Sequence, residues 1–338
     1  MKKYLLPENG NFYKANLHCH TTCSDGRKTP EEIKKLYQSR GYSIVAYTDH
    51  HMFIPHNNLS DENFLSLSGI EIDVYKTLEP PTQYMKTCHI NMIAINPDNT
   101  VQPFWREEWE GRKHVKERIS EVNFDDTTET IQGLMSEVPY IMEAGTQKGF
   151  FMAHNHPTWS LEDYSDYMTY NGMHALEIFN GGCIASGYDE YNMRVYDDIL
   201  RSGRKIYCIG GDDNHNRTDE KLRSCDSFWA FTMIKSPNLD YRSVTSALLS
   251  GHFYASEGPE IFELWYEDGK VHVECSDADR INCTFKKRHA ETLISEGEST
   301  VTCADFDIPQ DCGYFRITVI DKSGKRACTN AYFAGEDF

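Results

Sequence analysis

Short apolar runs bounded by polar or turn residues recur through most of the chain, at 13–20, 43–50, 68–75, 89–95, 149–156, 174–180 and 205–210. Runs of this length and composition predict strands. Between the first two lies a well-signalled helix. Thr29 suits the N-cap, Pro30 the first helical position, Glu32 completes a capping box, and Gly41 closes the end. Segments 188–201, ended by Gly203, and 240–250, ended by Gly251, predict two more helices. Alternating strand and helix units point to an α/β fold with a parallel sheet or barrel. The stretch 97–126 breaks the rhythm, carrying Trp105, Trp109 and many charges. It is too long for an ordinary connection, so it reads either as an insertion partly covering a site or as a surface excursion packed by its own aromatics.

After about Gly258 the texture changes. Segments 261–266, 271–275, 281–286 and 314–319 alternate and are separated by turn signals such as Asp268-Gly269 and Ser323-Gly324. A large α/β domain over 1–257 and a small all-β, sandwich-like domain over 258–338 follow from this. Only three of the fourteen histidines lie beyond His215, so the tail is expected to be structural.

Composition narrows the classes. A chain of 338 residues with 39% hydrophobic and 12% aromatic residues can bury a real core. It contains no run of ~20 apolar residues, and Tyr4-Leu5-Leu6 before Pro7 is too short for a signal peptide. Eleven cysteines, an odd number without any CxxC pair, fit reduced thiols, so a cytoplasmic location is expected. A net charge of −18 opposes any long nucleic-acid partner, whereas a short phosphate ester needs only local cations.

The histidines are the chemical signal. In a strand, His18 and His20 project from one face and can grip one ion, with Cys19 turned away. Asp25 follows in the tight turn Ser24-Asp25-Gly26, where an ordinary Asx turn would also serve. Thr48-Asp49-His50 puts polar groups at a strand exit, where barrel enzymes hold their sites. Glu71, between Ile70 and Ile72, is an acid inside a strand and calls for a cation. His89, then His154-Asn155-His156-Pro157, then Asp212-Asp213-Asn214-His215 complete the series. Nitrogen and oxygen ligands without thiolates suit Mn, Fe or Zn rather than a structural zinc site. The donors exceed the needs of one ion, so two or three divalent ions are expected. Such a cluster holds a phosphoryl group, lowers the pKa of a bridging water to give a metal-bound hydroxide nucleophile, and neutralises the leaving oxygen.

Taken in order, these motifs resemble the PHP family, named for polymerase and histidinol phosphatase, over roughly residues 12–256. The resemblance implies a distorted seven-stranded β/α barrel with a trinuclear site at one mouth. By position it implies that His18, His20 and Asp213 bind one metal, with Glu71 bridging to a second. His89 and His156 would complete the second, and Asp25, His50 and His215 would hold the third. His156 is taken over His154 for the His-Pro pattern, and Asp213 over Asp212 for the Asp-x-His spacing. Arg194 and Arg217 are candidate phosphate contacts, against the ordinary reading of surface arginines. His51, His56, His114 and His174 fall outside the pattern and read as ordinary surface or core histidines, with His51 near enough to His50 to reach substrate.

The expected activity is metal-dependent hydrolysis of a small phosphorylated metabolite or nucleotide. A metal-dependent exonuclease shares every ligand and differs by needing a basic groove, which the composition lacks. A binding module that no longer turns over would have lost ligands, and none is missing.

Overall fold

In the computed structural model, residues 2–77 and 85–338 are described. The first part runs β1 (Lys3–Tyr4), β2 (Asn11–Asn16), α1 (Pro30–Gln38), β3 (Ile44–Tyr47), β4 (Leu65–Tyr75) and β5 (Thr87–Ala94). The excursion that follows holds β6 (Phe104–Trp105), α2 (Lys113–Arg118) and β7 (Glu129–Thr130). Next come α3 (Val138–Gln147), β8 (Phe150–Asn155), α4 (Tyr164–Tyr167), β9 (Ala175–Asn180), α5 (Gly181–Ala185) and α6 (Met193–Arg201). β10 (Tyr207–Gly211), β11 (Phe231–Ser236), α7 (Tyr241–Ser250) and β12 (Phe253–Ser256) close this part. The tail is β13 (Ile261–Glu267), β14 (Lys270–Ala278), β15 (Arg280–Phe285), β16 (Ala290–Ile294), β17 (Val301–Asp307), β18 (Tyr314–Ile320), β19 (Arg326–Thr329) and β20 (Tyr332–Phe333).

One sheet carries the order β10-β9-β8-β5-β4-β3-β2-β11-β12 and continues into β19-β18-β15-β16. Strands β3, β8 and β9 are buried along their whole length, as expected where both faces are covered. β14 and β15 instead alternate buried and more open positions. The ends of the run from β10 to β2 meet at the strand exits. Asp213 N–H donates to His18 O at 2.9 Å, His20 N–H donates to Asn214 O at 3.1 Å, and Cys19 bridges Asn214 in parallel.

The arrangement is mixed rather than wholly parallel. β2, β3 and β4 are parallel to one another, but β5 runs antiparallel to both β4 and β8. Parallel neighbours need a crossover of a dozen or more residues, and the link from Tyr75 to Thr87 is shorter. Helix α1 has the expected capping box, with Thr29 Oγ1 accepting from Glu32 N–H and Glu32 accepting from Thr29 N–H. The helix expected from 188 begins only at Met193, because residues before it are held elsewhere: Tyr191 bridges Phe179, and Glu190 accepts from the Thr158 and Trp159 N–H groups. α7 starts on the Asp240 cap and ends at Gly251 in the left-handed conformation, as its sequence implies.

The sheet crosses the expected domain boundary without a break, because β12 pairs with β19. A second sheet, β1-β13-β14-β17, takes its first strand from the N-terminus. Tyr47, Phe231 and Tyr254 share one apolar cluster with Leu264, Val273 and Phe315. Across the same junction, Arg316 of β18 forks onto Asp197 of α6, with Nε–Oδ1 and Nη2–Oδ2 both at 3.1 Å. Among the described residues, no helix is long and apolar enough to cross a membrane. All eleven cysteines are free thiols, and only Cys303 is exposed.

The Arg316–Asp197 pair generates a prediction. Asp197→Ala leaves a guanidinium buried without its fork partner, which costs about 3–5 kcal/mol. Urea unfolding is expected to show that loss, with the metal content per folded molecule unchanged.

Candidate metal centre

Glu71 lies in the middle of β4 and is 1% exposed. Imidazole nitrogens surround its carboxylate. His18 Nε2 and His89 Nδ1 stand 3.2 and 3.1 Å from Oε1, and His156 Nε2 stands 3.5 Å from it. On Oε2, His20 Nε2 is at 3.1 Å and His50 Nδ1 at 3.2 Å. Asp213 Oδ1 closes the other side, 3.3 Å from His18 Nε2 and 3.0 Å from His20 Nε2. Beyond His20, His215 Nε2 meets Asp25 Oδ1 at 3.2 Å.

Three compact groups hold the nine expected donors: His18, His20, Glu71 and Asp213; Glu71, His89 and His156; and His20, Asp25, His50 and His215; His18 and His156 also group with Glu177, and Cys23 with Asp49 and His56. Their chemistry fits cations. Glu177 Oε1 lies 3.1 Å from His18 Nδ1 and, as a carboxylate, accepts its proton. His18 Nε2 then faces the Glu71 and Asp213 carboxylates, with His20 Nε2 at 3.3 Å. Asp25 Oδ1 is buried against His215 Nε2. Two buried carboxylates ringed by imidazole nitrogens call for positive charge, met by protons on the imidazoles or by metal ions in their place. Burial pulls the imidazoles down, yet Asp213 and Glu71 outweigh it and raise His20 to about 10. His156 rises to about 9 through the Glu71 hydrogen bond and the Asp213 and Glu71 charges, again against burial. His50 instead falls to about 3 through burial and the neighbouring His20.

Strand exits position these groups. β2 ends at Asn16, so His18 and His20, expected inside a strand over 13–20, lie just beyond it, but the Cys19–Asn214 bridge keeps the segment extended and turns Cys19 into the core. Asp49 accepts from Thr21 N–H (2.8 Å) and from the Thr21 and Ser24 hydroxyls, which fixes the turn carrying Asp25. In that turn a Cβ on Gly26 would stand 2.6 Å from His20 O, so only glycine fits. At Gly211 a Cβ would stand 2.8 Å from both Glu177 Oε1 and His18 Cβ. His156 and Asp213 hold positive φ, 25° and 50°, a strained backbone that aims their side chains inward.

Arg217 lines the cleft of ≈ 390 Å³ above the group and pairs with Asp25 Oδ2 at 2.7 Å. Arg194 is not brought there: it sits exposed on α6, paired with Asp198. His154 points away into a buried network, its Nε2 2.5 Å from Oε2 of Glu162, whose Oε1 accepts from the Tyr170 hydroxyl. His51 and His114, read from sequence as ordinary, stand beside the cleft, 2.9 Å apart. Glu177, Asn155 and Asn180 were not singled out by sequence. Asn155 donates to Glu71 Oε1 and Asn180 to Asp213 Oδ2. The signal available for Glu177 was an acid between Leu176 and Ile178, the same pattern that marked Glu71.

Glu71→Gln is expected to lose more than one equivalent of metal, because Glu71 belongs to two of the three groups. His156→Ala should lower metal content, whereas His154→Ala should leave it near wild type; elemental analysis of protein purified without chelator decides both. A pH effect follows as well. His20 and His156, raised above the ordinary 6.5, stabilise metal-free protein fully below about 6.5, and this is lost as pH climbs through about 9 to about 10. Chelated protein should therefore lose Tm as pH rises across that window, and metal-loaded protein should not. A chelated Tm that rises with pH would contradict the assignment.

No family model and no curated protein matches this sequence. Among solved structures it is similar to a two-domain protein from Bacteroides vulgatus ATCC 8482 containing a predicted PHP-like metal-dependent phosphoesterase. That similarity has 15% identity over 98% of this chain and 97% of the other, with a TM-score of 0.44. A putative metal-dependent phosphoesterase from Bifidobacterium adolescentis ATCC 15703 matches at 15% identity over 64% of this chain and 91% of its own, with a TM-score of 0.41. An amidohydrolase from Chromobacterium violaceum with bound sulfate matches at 15% identity, 60% and 87% coverage, and a TM-score of 0.37. At these scores the likenesses carry no functional argument by themselves. The PHP-like description of the first neighbour names the family that the motifs resemble.

Proposed function

We propose that this chain is a metal-dependent hydrolase of small phosphate esters, working at a cluster of three divalent ions of Mn, Fe or Zn. The observation that carries the reading is Glu71, buried among five imidazoles and opening on a cleft. In this reading His18, His20, Glu71 and Asp213 hold the first ion, Glu71, His89 and His156 the second, and Asp25, His50 and His215 the third. The strands from β2 to β10 form a distorted seven-stranded barrel whose mouth is this cleft, and residues 258–338 form an appended β domain. The bound ions supply Lewis acidity, activating water and neutralising charge on the phosphoryl and leaving oxygens.

The protein's own groups do the rest. Glu177, as an acceptor, holds His18 with its proton on Nδ1, and Ser160, 3.2 Å from Nδ1, orients the His156 ring. Arg217 stands at the cleft and, on releasing Asp25 to a metal, is free to meet a phosphate oxygen. Buried free thiols suit a reducing cytoplasm. The two neighbours described as metal-dependent phosphoesterases agree with this reading.

A net charge of −18 repels an extended polyanion. The metals offset one or two phosphates but nothing beyond about one Debye length, ~8–10 Å. Higher kcat/KM is therefore expected on sugar phosphates or mononucleotides than on oligonucleotides, in Mn²⁺-loaded protein. Added salt should narrow the gap. A preference for long single strands at low salt would replace this reading by an exonuclease.

A further inference from the structure

Beside the metal cleft lies a second, larger cavity of ≈ 740 Å³. The two share Asp25, His50, His89 and Trp159, so they are compartments of one opening. The size is in the range of a bound small molecule. Its walls expose apolar surface that folding does not require: Trp159 (37%), Met85 (39%), Tyr188 (42%) and Leu161 (55%).

Its floor is a directed chain of hydrogen bonds. Asp73, 4% exposed, accepts from the Tyr75 hydroxyl on Oδ2. Its Oδ1 lies 2.8 Å from His51 Nε2, and His51 Nδ1 lies 2.9 Å from His114 Nε2. A carboxylate flanked by a phenol hydroxyl and an imidazole nitrogen accepts from both. His51 Nε2 must then carry a proton, and in the neutral ring Nδ1 is an acceptor. His114 must in turn donate through Nε2, which leaves its Nδ1 as a lone pair. Among the described residues nothing bonds to that nitrogen, and His114 lines the cavity. Burial, the largest cause, lowers His114 below its ordinary value and favours the neutral ring.

The chain is built rather than incidental. His51 holds φ 72°, a conformation L residues rarely adopt. Gln102, fully buried and contributed by the excursion, donates to His51 O at 2.9 Å and to Phe104 O at 2.7 Å. Trp109 of the same excursion packs on the His51 ring at 4.9 Å. The excursion thus brings His114 over a preset acceptor chain.

We propose that this cavity is the leaving-group subsite, taking an alcohol that carries a flat ring and a hydrogen-bond donor, with His114 Nδ1 accepting from that donor. The proposal rests on the phosphoesterase reading above and deepens it.

The test uses Mn²⁺-loaded full-length protein and matched 2-, 3- and 4-hydroxyphenyl and fluorophenyl phosphates. For at least one ring position, wild type should favour the hydroxyl probe in kcat/KM by about tenfold, the scale of one neutral hydrogen bond. In His114→Phe that ratio should fall toward its value for the other positions. A purely structural role would lower both probes together and keep the ratio. Intrinsic leaving-group differences cancel because the same probes are used on both proteins. Nitrogen-15 NMR of labelled histidines, assigned with the same variant, should show His114 protonated at Nε2 and bare at Nδ1. A protonated Nδ1, or identical ratios in both proteins at every position, overturns the proposal. Should no probe release phosphate, the phosphoesterase reading fails, and calorimetry with the corresponding phenylphosphonates still decides the subsite. A hydroxyl preference in Kd that His114→Phe abolishes supports it, and no such preference overturns it.

Discussion

Burying a carboxylate costs several kcal/mol unless cations and hydrogen bonds offset it, and Glu71 is buried at the point where the sheet's exits converge. Everything near it is arranged around that cost. Asn155 gives it one amide donor at 2.9 Å, and five imidazoles crowd round it. His18 has committed its Nδ1 proton to Glu177, and His156 has Ser160 at its own Nδ1. Positive charge must therefore face Glu71: without metal it is carried by protons on imidazoles such as His20 and His156, and metal ions would take their place. The same constraint explains why the backbone accepts φ 25° at His156 and 50° at Asp213, each a cost of about 1–3 kcal/mol. Extended geometry at those exits would carry the side chains past the carboxylate.

Around this group, buried acids hold the loops by accepting backbone and hydroxyl protons. Asp212 accepts from the N–H groups of Phe228, Trp229 and Ala230 and from Tyr37 of α1. Burial raises it to about 6 even so. Asp226 accepts from the His215 and Asn216 N–H groups, and Glu190 from those of Thr158 and Trp159. Each clamps the residue next to a candidate ligand or cavity wall. Many of the acids behind the charge of −18 on the surface are spare, but these are structural, and their backbone donors take the place of metal or arginine.

The candidate metal donors were legible because each breaks a local expectation: imidazoles in strand-like runs, an acid between Ile70 and Ile72, acids and histidines where β8 and β10 exit. Spacing sufficed for His18 and His20. It did not separate His154 from His156, which share strand parity; what separates them is the turn at Pro157 and the Glu162–Tyr170 pocket that takes His154. The direction of β5 was hidden, since a strand reads the same in either sense. So was the role of His114, because its neighbour His51 is 63 positions away and only the excursion brings them together. The texture change near Gly258 was visible, yet nothing in the sequence could show that β12 and β19 would carry one sheet across it.

Strand β4 connects the two compartments. Alternate residues of a strand share a face, so Glu71, Asp73 and Tyr75 all project to one side. The antiparallel β5 places His89 opposite Asp73 and Asn91 opposite Glu71. Glu71 therefore meets the metal donors while Asp73, two residues on, anchors His51 and the cavity beside them. A parallel β5 would reverse this pairing along the strand and move His89 away from the Glu71 carboxylate it now meets at 3.1 Å. The departure from a wholly parallel sheet is thus what lets one strand serve both the metal group and the adjoining cavity.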